Sequence, residues 1–187
     1  MFFLSQSLVI EPSKIYYIDP SGSEEVVMED WAHPLMSASA AYACENGGDI
    51  LEIGFGLGIS AGYIQSHSIS SHTIVEIHPD IIPLAQEWAA EKSNVTIITG
   101  SWYDNLNNLS TYDGIFSDPY GDEHTPYFSS SLSQLTNPGA KVTWFNVIPV
   151  ASNILNIPNV EYEIFNITPP ANTYYNHNIY YLPKKQF

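Results

Sequence analysis

From residue 49 onward, short apolar runs alternate with stretches of helical pattern, the rhythm of βα units around a mostly parallel sheet. The runs predict seven strands, at residues 49–53, 73–77, 95–99, 114–117, 141–146, 160–167 and 178–182. Helices are predicted over 57–65, 80–91 and 127–135, with a weaker one near 151–155. Asp80 has the side chain of an N-cap, and Pro138-Gly139 reads as the turn after the third of these helices. Upstream, residues 34–44 form another helix, opened at His33-Pro34 and closed by Asn46-Gly47-Gly48. Two alternating runs before it, at 7–10 and 14–18, are broken by Pro12-Ser13 and ended by Pro20-Ser21-Gly22, which predicts a hairpin or a lid. The expected organisation is one α/β domain, with a lid segment over residues 1–30 and the sheet-bearing body over 31–187.

The sharpest local signal is Ile50-Leu51-Glu52-Ile53-Gly54-Phe55-Gly56-Leu57-Gly58, a buried strand entering a glycine turn and then a helix. Glycine allows so tight a turn and lets a ligand approach where a Cβ would collide. Glu76 ends the next strand, at the spacing where a carboxylate accepts the hydroxyls of a ribose. The turn alone does not name the nucleotide, because Gly56-Leu57-Gly58-Ile59-Ser60-Ala61 also satisfies the looser dinucleotide pattern G-x-G-x-x-A. An NAD(P)-dependent oxidoreductase is therefore the competing reading. Glu52 argues against it: its charge would repel a pyrophosphate, and it suits the cationic amino group of S-adenosylmethionine. After the third strand come Gly100, Ser101 and Trp102, the last placed to stack on a purine or edge its pocket. Asp118, in Ser117-Asp118-Pro119-Tyr120, ends the fourth strand with a carboxylate in the crevice where such sheets bind ligands, and Tyr120 walls the same site. Together these features predict a Rossmann-like methyltransferase.

On these residues the chain resembles the guanidinoacetate N-methyltransferase family from about Val26 to Tyr181. The likeness is carried by Val27-Met28-Glu29-Asp30-Trp31 with Pro34 and Met36, by Leu51-Glu52-Ile53-Gly54-Phe55-Gly56, and by Glu76, Gly100 and Trp102. It continues in Asp113-Gly114-Ile115, Asp118 with Tyr120, Asn146, and Pro169-Pro170-Ala171 before Tyr174-Tyr175. The resemblance implies a class I sheet of seven mostly parallel strands. It implies that S-adenosylmethionine contacts Met28, Met36, Leu57, Gly58, Ile59 and the residues on to Gly62, together with Glu76, Ile77, His78, Ser101 and Trp102, beside the Gly54, Phe55 and Gly56 of the glycine turn. Asp118 would be the base, with Val147 and Ile148 beside the acceptor. Family members carry a guanidinium-gripping glutamate right after the Met-Glu-x-Trp tryptophan, and here that position is Ala32. Trp31 and His33 flank it and are candidate acceptor contacts. The loop after Asp118 and the segment 148–159 are also short for the family, which implies a more open pocket and a larger acceptor. Ser117-Asp118-Pro119-Tyr120 is, besides, a near miss to the Asp/Asn/Ser-Pro-Pro-Tyr motif of enzymes that methylate planar amino groups.

Composition narrows the partners. Hydrophobic residues make up 44% of the chain and charged residues 13%, as in a globular protein, and no apolar run approaches the roughly 18 residues of a bilayer span. The N-terminus lacks a basic region, and Cys44 is the lone cysteine, so a cytoplasmic protein is expected. Twenty acidic residues against five basic ones give a net charge of −15, which repels nucleic acid and anionic membranes and steers a cationic small molecule or peptide. His33, His78 and His124 are candidates for pocket walls, and no His, Cys, Asp and Glu cluster has metal-site spacing. The aromatic tail, 174–181, alternates like a strand; one of its tyrosines is placed to face the substrate, and a homodimer stays open. The expected function is N-methylation of a guanidino or amino group. The alternatives are the oxidoreductase and a methyltransferase-like protein that binds without turnover.

Overall fold

The computed structural model describes residues 2–152, 154–171 and 173–187. The chain begins with a small antiparallel sheet, β1 (Val9–Glu11), β2 (Lys14–Ile18) and β3 (Glu24–Glu29), in the order β1-β2-β3. β3 was not foreseen, because its buried positions Val26, Val27 and Met28 run consecutively instead of alternating. Helix α1 (His33–Ala43) follows, with Pro34 in its first turn, where a missing N–H breaks no helical bond.

All seven predicted strands form and join in one sheet. They are β4 (Asp49–Ile53), β5 (Ser71–Glu76), β6 (Val95–Thr99), β7 (Tyr112–Ser117), β8 (Thr136–Trp144), β9 (Glu161–Asn166) and β10 (Ile179–Gln186). The order is β6-β5-β4-β7-β8-β10-β9. β6 to β8 pair in parallel, and β10 runs antiparallel to both β8 and β9. Helices α2 (Ile59–Gln65), α3 (Ile82–Ala89) and α4 (Phe128–Leu135) connect the parallel strands. β4 is buried almost throughout, as expected of a strand at the centre of a sheet covered on both faces. One core cluster joins Leu35, Met36, Phe116 and Tyr180 to Phe3, Ile15, Tyr17 and Met28, so the N-terminal segment shares the core of the main sheet. A second, around Leu51, Trp102, Phe128 and Trp144, lies beneath α4.

Three local expectations change. Asp80 does not cap α3: the cap position is Ile81, and the Asp80 carboxylate instead accepts the Leu8 N–H at 2.9 Å, tying the N-terminal segment down. Pro138-Gly139 lies inside β8, as a bulge where the register jumps from Tyr112 opposite Thr136 to Gly114 opposite Lys141. The weak helix near 151–155 is absent from the described residues there, which form a turn at 154–155, Asn153 lying outside them. Among the described residues, no helix is long and apolar enough to cross a membrane.

Candidate active site

β4 has β5 and β6 on one side and β7 and β8 on the other, so the chain's winding reverses at β4 and a crevice opens at the carboxyl ends of β4 and β7. Gly54 leaves β4 there and Asp118 leaves β7, the Asp118 N–H donating to the Ile53 carbonyl at 2.9 Å. The two chains run so close that a Cβ on Gly54, whose φ is +91°, would lie 2.6 Å from the Asp118 carbonyl oxygen. A Cβ on Gly58, at φ +72°, would meet the Phe55 ring at 2.7 Å. These two glycines are therefore required by the protein's own packing, a requirement distinct from the ligand approach invoked from sequence.

Two cavities open at the crevice. The first, of about 290 Å³, is bounded by Gly54, Phe55 and Gly56, by Glu76 and Ile77, by Ser101 and Trp102, and by residues 118–122, with Phe3 and Met28 contributed from the N-terminal segment. The second, of about 560 Å³, lies between residues 122–128 and the segment after β8. Asp118, Pro119, Trp102, Asp122, Phe145 and Val147 belong to both.

Glu76 is buried, and its carboxylate accepts the N–H groups of Phe55, Ile77 and His78, each at 2.8 Å. Those three bonds fix the carboxylate against the glycine turn. Trp102 packs in the core edge-on to Phe128 while its Nε1–H donates to Asp122 at 2.8 Å. It thus edges both cavities, with its indole plane set by the protein. Asp122 also accepts the His124 N–H at 2.9 Å, and the His124 ring stacks on Tyr103 with Nδ1 3.2 Å from the Ser101 hydroxyl. The loop after Asp118 is therefore pinned at several points.

Asp118 sits at the junction of the cavities. Burial, with the charge of Glu52 adding to it, pushes its carboxyl up to about 7. A carboxylate so matched to neutral pH is suited to accept a proton. Tyr120 packs against Phe3 at 4.8 Å between ring centres, and burial, then Tyr17, raises its hydroxyl above the ordinary range. Tyr174 also lines the first cavity, its ring against Trp31 at 5.5 Å and Phe145 at 5.9 Å. Its hydroxyl is closed to solvent and has no hydrogen-bond partner among the described residues, and burial and the charge of Asp118 raise it well above the ordinary phenol value.

The structure thus brings Met28, Gly54, Phe55, Gly56, Glu76, Ile77, Ser101, Trp102, Asp118, Tyr120 and Val147 together around the first cavity. The remaining candidates lie elsewhere. Met36 is buried in the core, and Leu57, Gly58 and Ile59 are not among the residues that line the cavity. Glu52 is fully buried, bound by the Ser60 hydroxyl and 2.9 Å from His72 Nε2 in a pair not aligned for a hydrogen bond. His78 is buried against Phe3, with Nδ1 accepting the Asp80 N–H at 3.1 Å. Trp31 Nε1–H donates to Glu29 at 3.0 Å, His33 contacts the Tyr63 hydroxyl at 3.1 Å, and the Ile148 N–H donates to Asn146 at 3.4 Å. Ala32 is fully buried and lines neither cavity. Sequence reasoning did not single out Phe3, Asp122 or Phe145. Phe3 reaches the site through long-range packing on His78 and Tyr120, while Asp122 follows Asp118 on its loop and Phe145 follows β8.

Residues 23–153 match the family model described as guanidinoacetate N-methyltransferase. A protein arginine N-methyltransferase 2 of Kluyveromyces lactis is 28% identical over 194 residues, covering 86% of this chain and 47% of the relative. One of Aspergillus fumigatus is 31% identical over 153 residues, covering 77% of this chain and 35% of the relative. The chain thus spans less than half the length of these curated relatives. Among solved structures, a precorrin-6y C5,15-methyltransferase of Geobacter metallireducens superposes with a TM-score of 0.60 at 13% identity, over 83% of this chain and 86% of the other, a likeness of fold alone. A family match running from β3 past the end of β8, on a sheet whose winding reverses at the glycine turn, makes this chain a member of the guanidinoacetate N-methyltransferase family of class I S-adenosylmethionine-dependent methyltransferases.

Proposed function

We propose that the chain transfers a methyl group from S-adenosylmethionine to a guanidino nitrogen of an arginine carried on a polypeptide. The observation that carries this reading is the meeting of two cavities at Asp118, with no lysine among the described residues that line either one. A free guanidino acid would bring its own carboxylate against Glu76, Asp118 and Asp122, with no cation to receive it. An arginine within a chain brings the cationic head and a neutral backbone. The relatives named protein arginine N-methyltransferase 2 support the same choice.

The first cavity fits the donor. Glu76 would take the ribose hydroxyls, Ser101 and Trp102 would flank the adenine, and the Gly54–Gly56 backbone would underlie the methionine part. Bound there, the sulfonium supplies an electrophilic methyl carbon. Asp118 holds the guanidinium through an N–H, keeps one nitrogen turned toward the methyl, and takes the proton that nitrogen releases as the C–N bond forms and the C–S bond breaks. Position 32 is Ala and lines neither cavity, so Asp118 is left as the carboxylate that grips the acceptor. Phe3 and Met28 close the donor side as part of a lid over residues 1–30. A reducing compartment such as the cytoplasm fits the buried, unpaired Cys44.

The test is methyl transfer from labelled S-adenosylmethionine to N-acetyl-arginine methylamide, arginine peptides, agmatine and guanidinoacetate, with products read by mass spectrometry. The expected result is methylation of blocked or peptidyl arginine and little of guanidinoacetate. Preference for guanidinoacetate, or donor binding with no transfer to any guanidino compound, would overturn the reading.

A further inference from the structure

The donor and the guanidinium head leave most of the second cavity unassigned. At about 560 Å³ it falls in the range of ligand pockets and far exceeds a guanidinium. Its floor is aromatic, from Phe128 and Trp144, and its outer wall is Ile154 and Leu155. The segment that forms this wall carries apolar side chains into solvent: Val147 is 67% exposed, Val150 49% and Ile154 63%. Apolar residues gathered at the mouth of a cavity mark a surface that binds another molecule. The opposite edge is acidic, from Asp122 and Glu123, and no lysine among the described residues lines the cavity.

The groove is built in advance. The Asn146 side-chain amide donates to the Val150 carbonyl at 3.1 Å and the Tyr181 carbonyl at 3.0 Å, and the Ser129 hydroxyl donates to the Asn156 carbonyl at 3.3 Å. Residues 146–150 are thereby tied to β10, and Asn156 to α4. Preformed walls remove part of the ordering cost that a bound peptide would otherwise meet.

We propose that the second cavity is a docking subsite for the polypeptide that flanks the methylated arginine, taking an apolar side chain on the Phe128–Trp144 floor and a lysine or arginine at the Glu123 edge. The occupant follows from charge complementarity: a chain of net charge −15 presents here an acidic edge beside an apolar floor, with the methylation point at one end. The subsite rests on the peptidyl-arginine reading above and adds to it a preference for sequence context.

The experiment compares N-acetyl-arginine methylamide with nonapeptides that carry one arginine and place a leucine and a lysine at each flanking position in turn. It uses the wild type, Glu123→Lys and Ile154→Asp, with calorimetric binding of S-adenosylhomocysteine as the folding control. Both substituted side chains are outside the donor cavity and the transfer chemistry. The expected result is a kcat/KM about tenfold or more higher for the best peptide than for the blocked arginine. Glu123→Lys should erase the lysine-dependent part and Ile154→Asp the leucine-dependent part, with the blocked arginine held within about twofold in both. Equal use of every peptide and of the blocked arginine, or a parallel fall of all substrates in the variants, overturns the subsite while leaving arginine methylation standing. Donor binding without transfer to any of these substrates overturns both.

Discussion

Replacing Glu76 with glutamine tests the donor site without emptying it. The wild-type carboxylate accepts three backbone N–H groups, from Phe55, Ile77 and His78, and has further lone-pair capacity facing the cavity. In Glu76→Gln the amide oxygen can keep the Ile77 and His78 bonds, but the NH₂ group then faces the Phe55 N–H, and two donors meet. One buried N–H left without an acceptor costs about 1–3 kcal/mol, and the ribose loses a charge-assisted acceptor of similar worth. Donor affinity should therefore fall by about 5- to 150-fold, since 1.4 kcal/mol is a factor of ten. The melting temperature of the ligand-free protein should drop by about 2–4 °C per kcal/mol for a chain of this size. Calorimetric titration with S-adenosylhomocysteine and a thermal melt read the two effects separately. Affinity within twofold of wild type would refute the ribose assignment, and an unchanged melting temperature would refute the buried three-bond geometry.

Because burial and the Glu52 charge hold the Asp118 carboxyl near 7 instead of 3.8, the acid limb of kcat/KM should rise through about pH 7; a limb below pH 5 would show an ordinary carboxylate. The same shift has a stability sign: a carboxyl raised on folding contributes stability that is present below about pH 3.8 and lost as the pH rises through about 7, so Asp118→Asn should be more stable to urea than wild type at pH 8, by at most about 4 kcal/mol, and a lower stability would contradict this. Tyr174→Phe deletes a buried hydroxyl that has no hydrogen-bond partner among the described residues, so stability in urea should hold or rise; a loss above about 1 kcal/mol would show the hydroxyl to be bonded. Phe3→Ala removes a ring packed on His78 and Tyr120, and should lower both stability, by about 3 kcal/mol, and donor affinity; unchanged affinity would exclude the lid role of the N-terminal segment.

What was legible in the sequence was whatever is encoded by local pattern. The β4 run into Gly54-Phe55-Gly56, the carboxylates Glu76 and Asp118 at strand ends, and all seven strands of the main sheet are written in short windows. β3 was hidden because its buried residues are consecutive, which matches neither a half-exposed strand nor a helix. Asp80 carried the right side chain for a cap, but a bond to the Leu8 N–H took precedence, and that partner is distant in sequence. Glu52 looked ligand-facing from its place beside the glycine turn. In the fold its side chain points between β4 and α2, toward His72 and Ser60, and acts on the site through its charge on Asp118. Phe3, Phe145 and Tyr174 converge from three distant segments on one cavity, an arrangement fixed by tertiary packing alone.

Asp118 is the group on which the proposed methyl transfer turns, holding the acceptor and taking its proton. The measurement is single-turnover methyl transfer to an arginine peptide by wild type and Asp118→Asn at pH 8, with S-adenosylhomocysteine affinity measured on the same samples. Asparagine keeps the shape but removes both the base and the counter-charge, so the transfer rate should fall by about 10² or more while donor affinity stays within about twofold. Near-wild-type transfer by Asp118→Asn with intact donor binding would contradict the base assignment and the mechanism built on it.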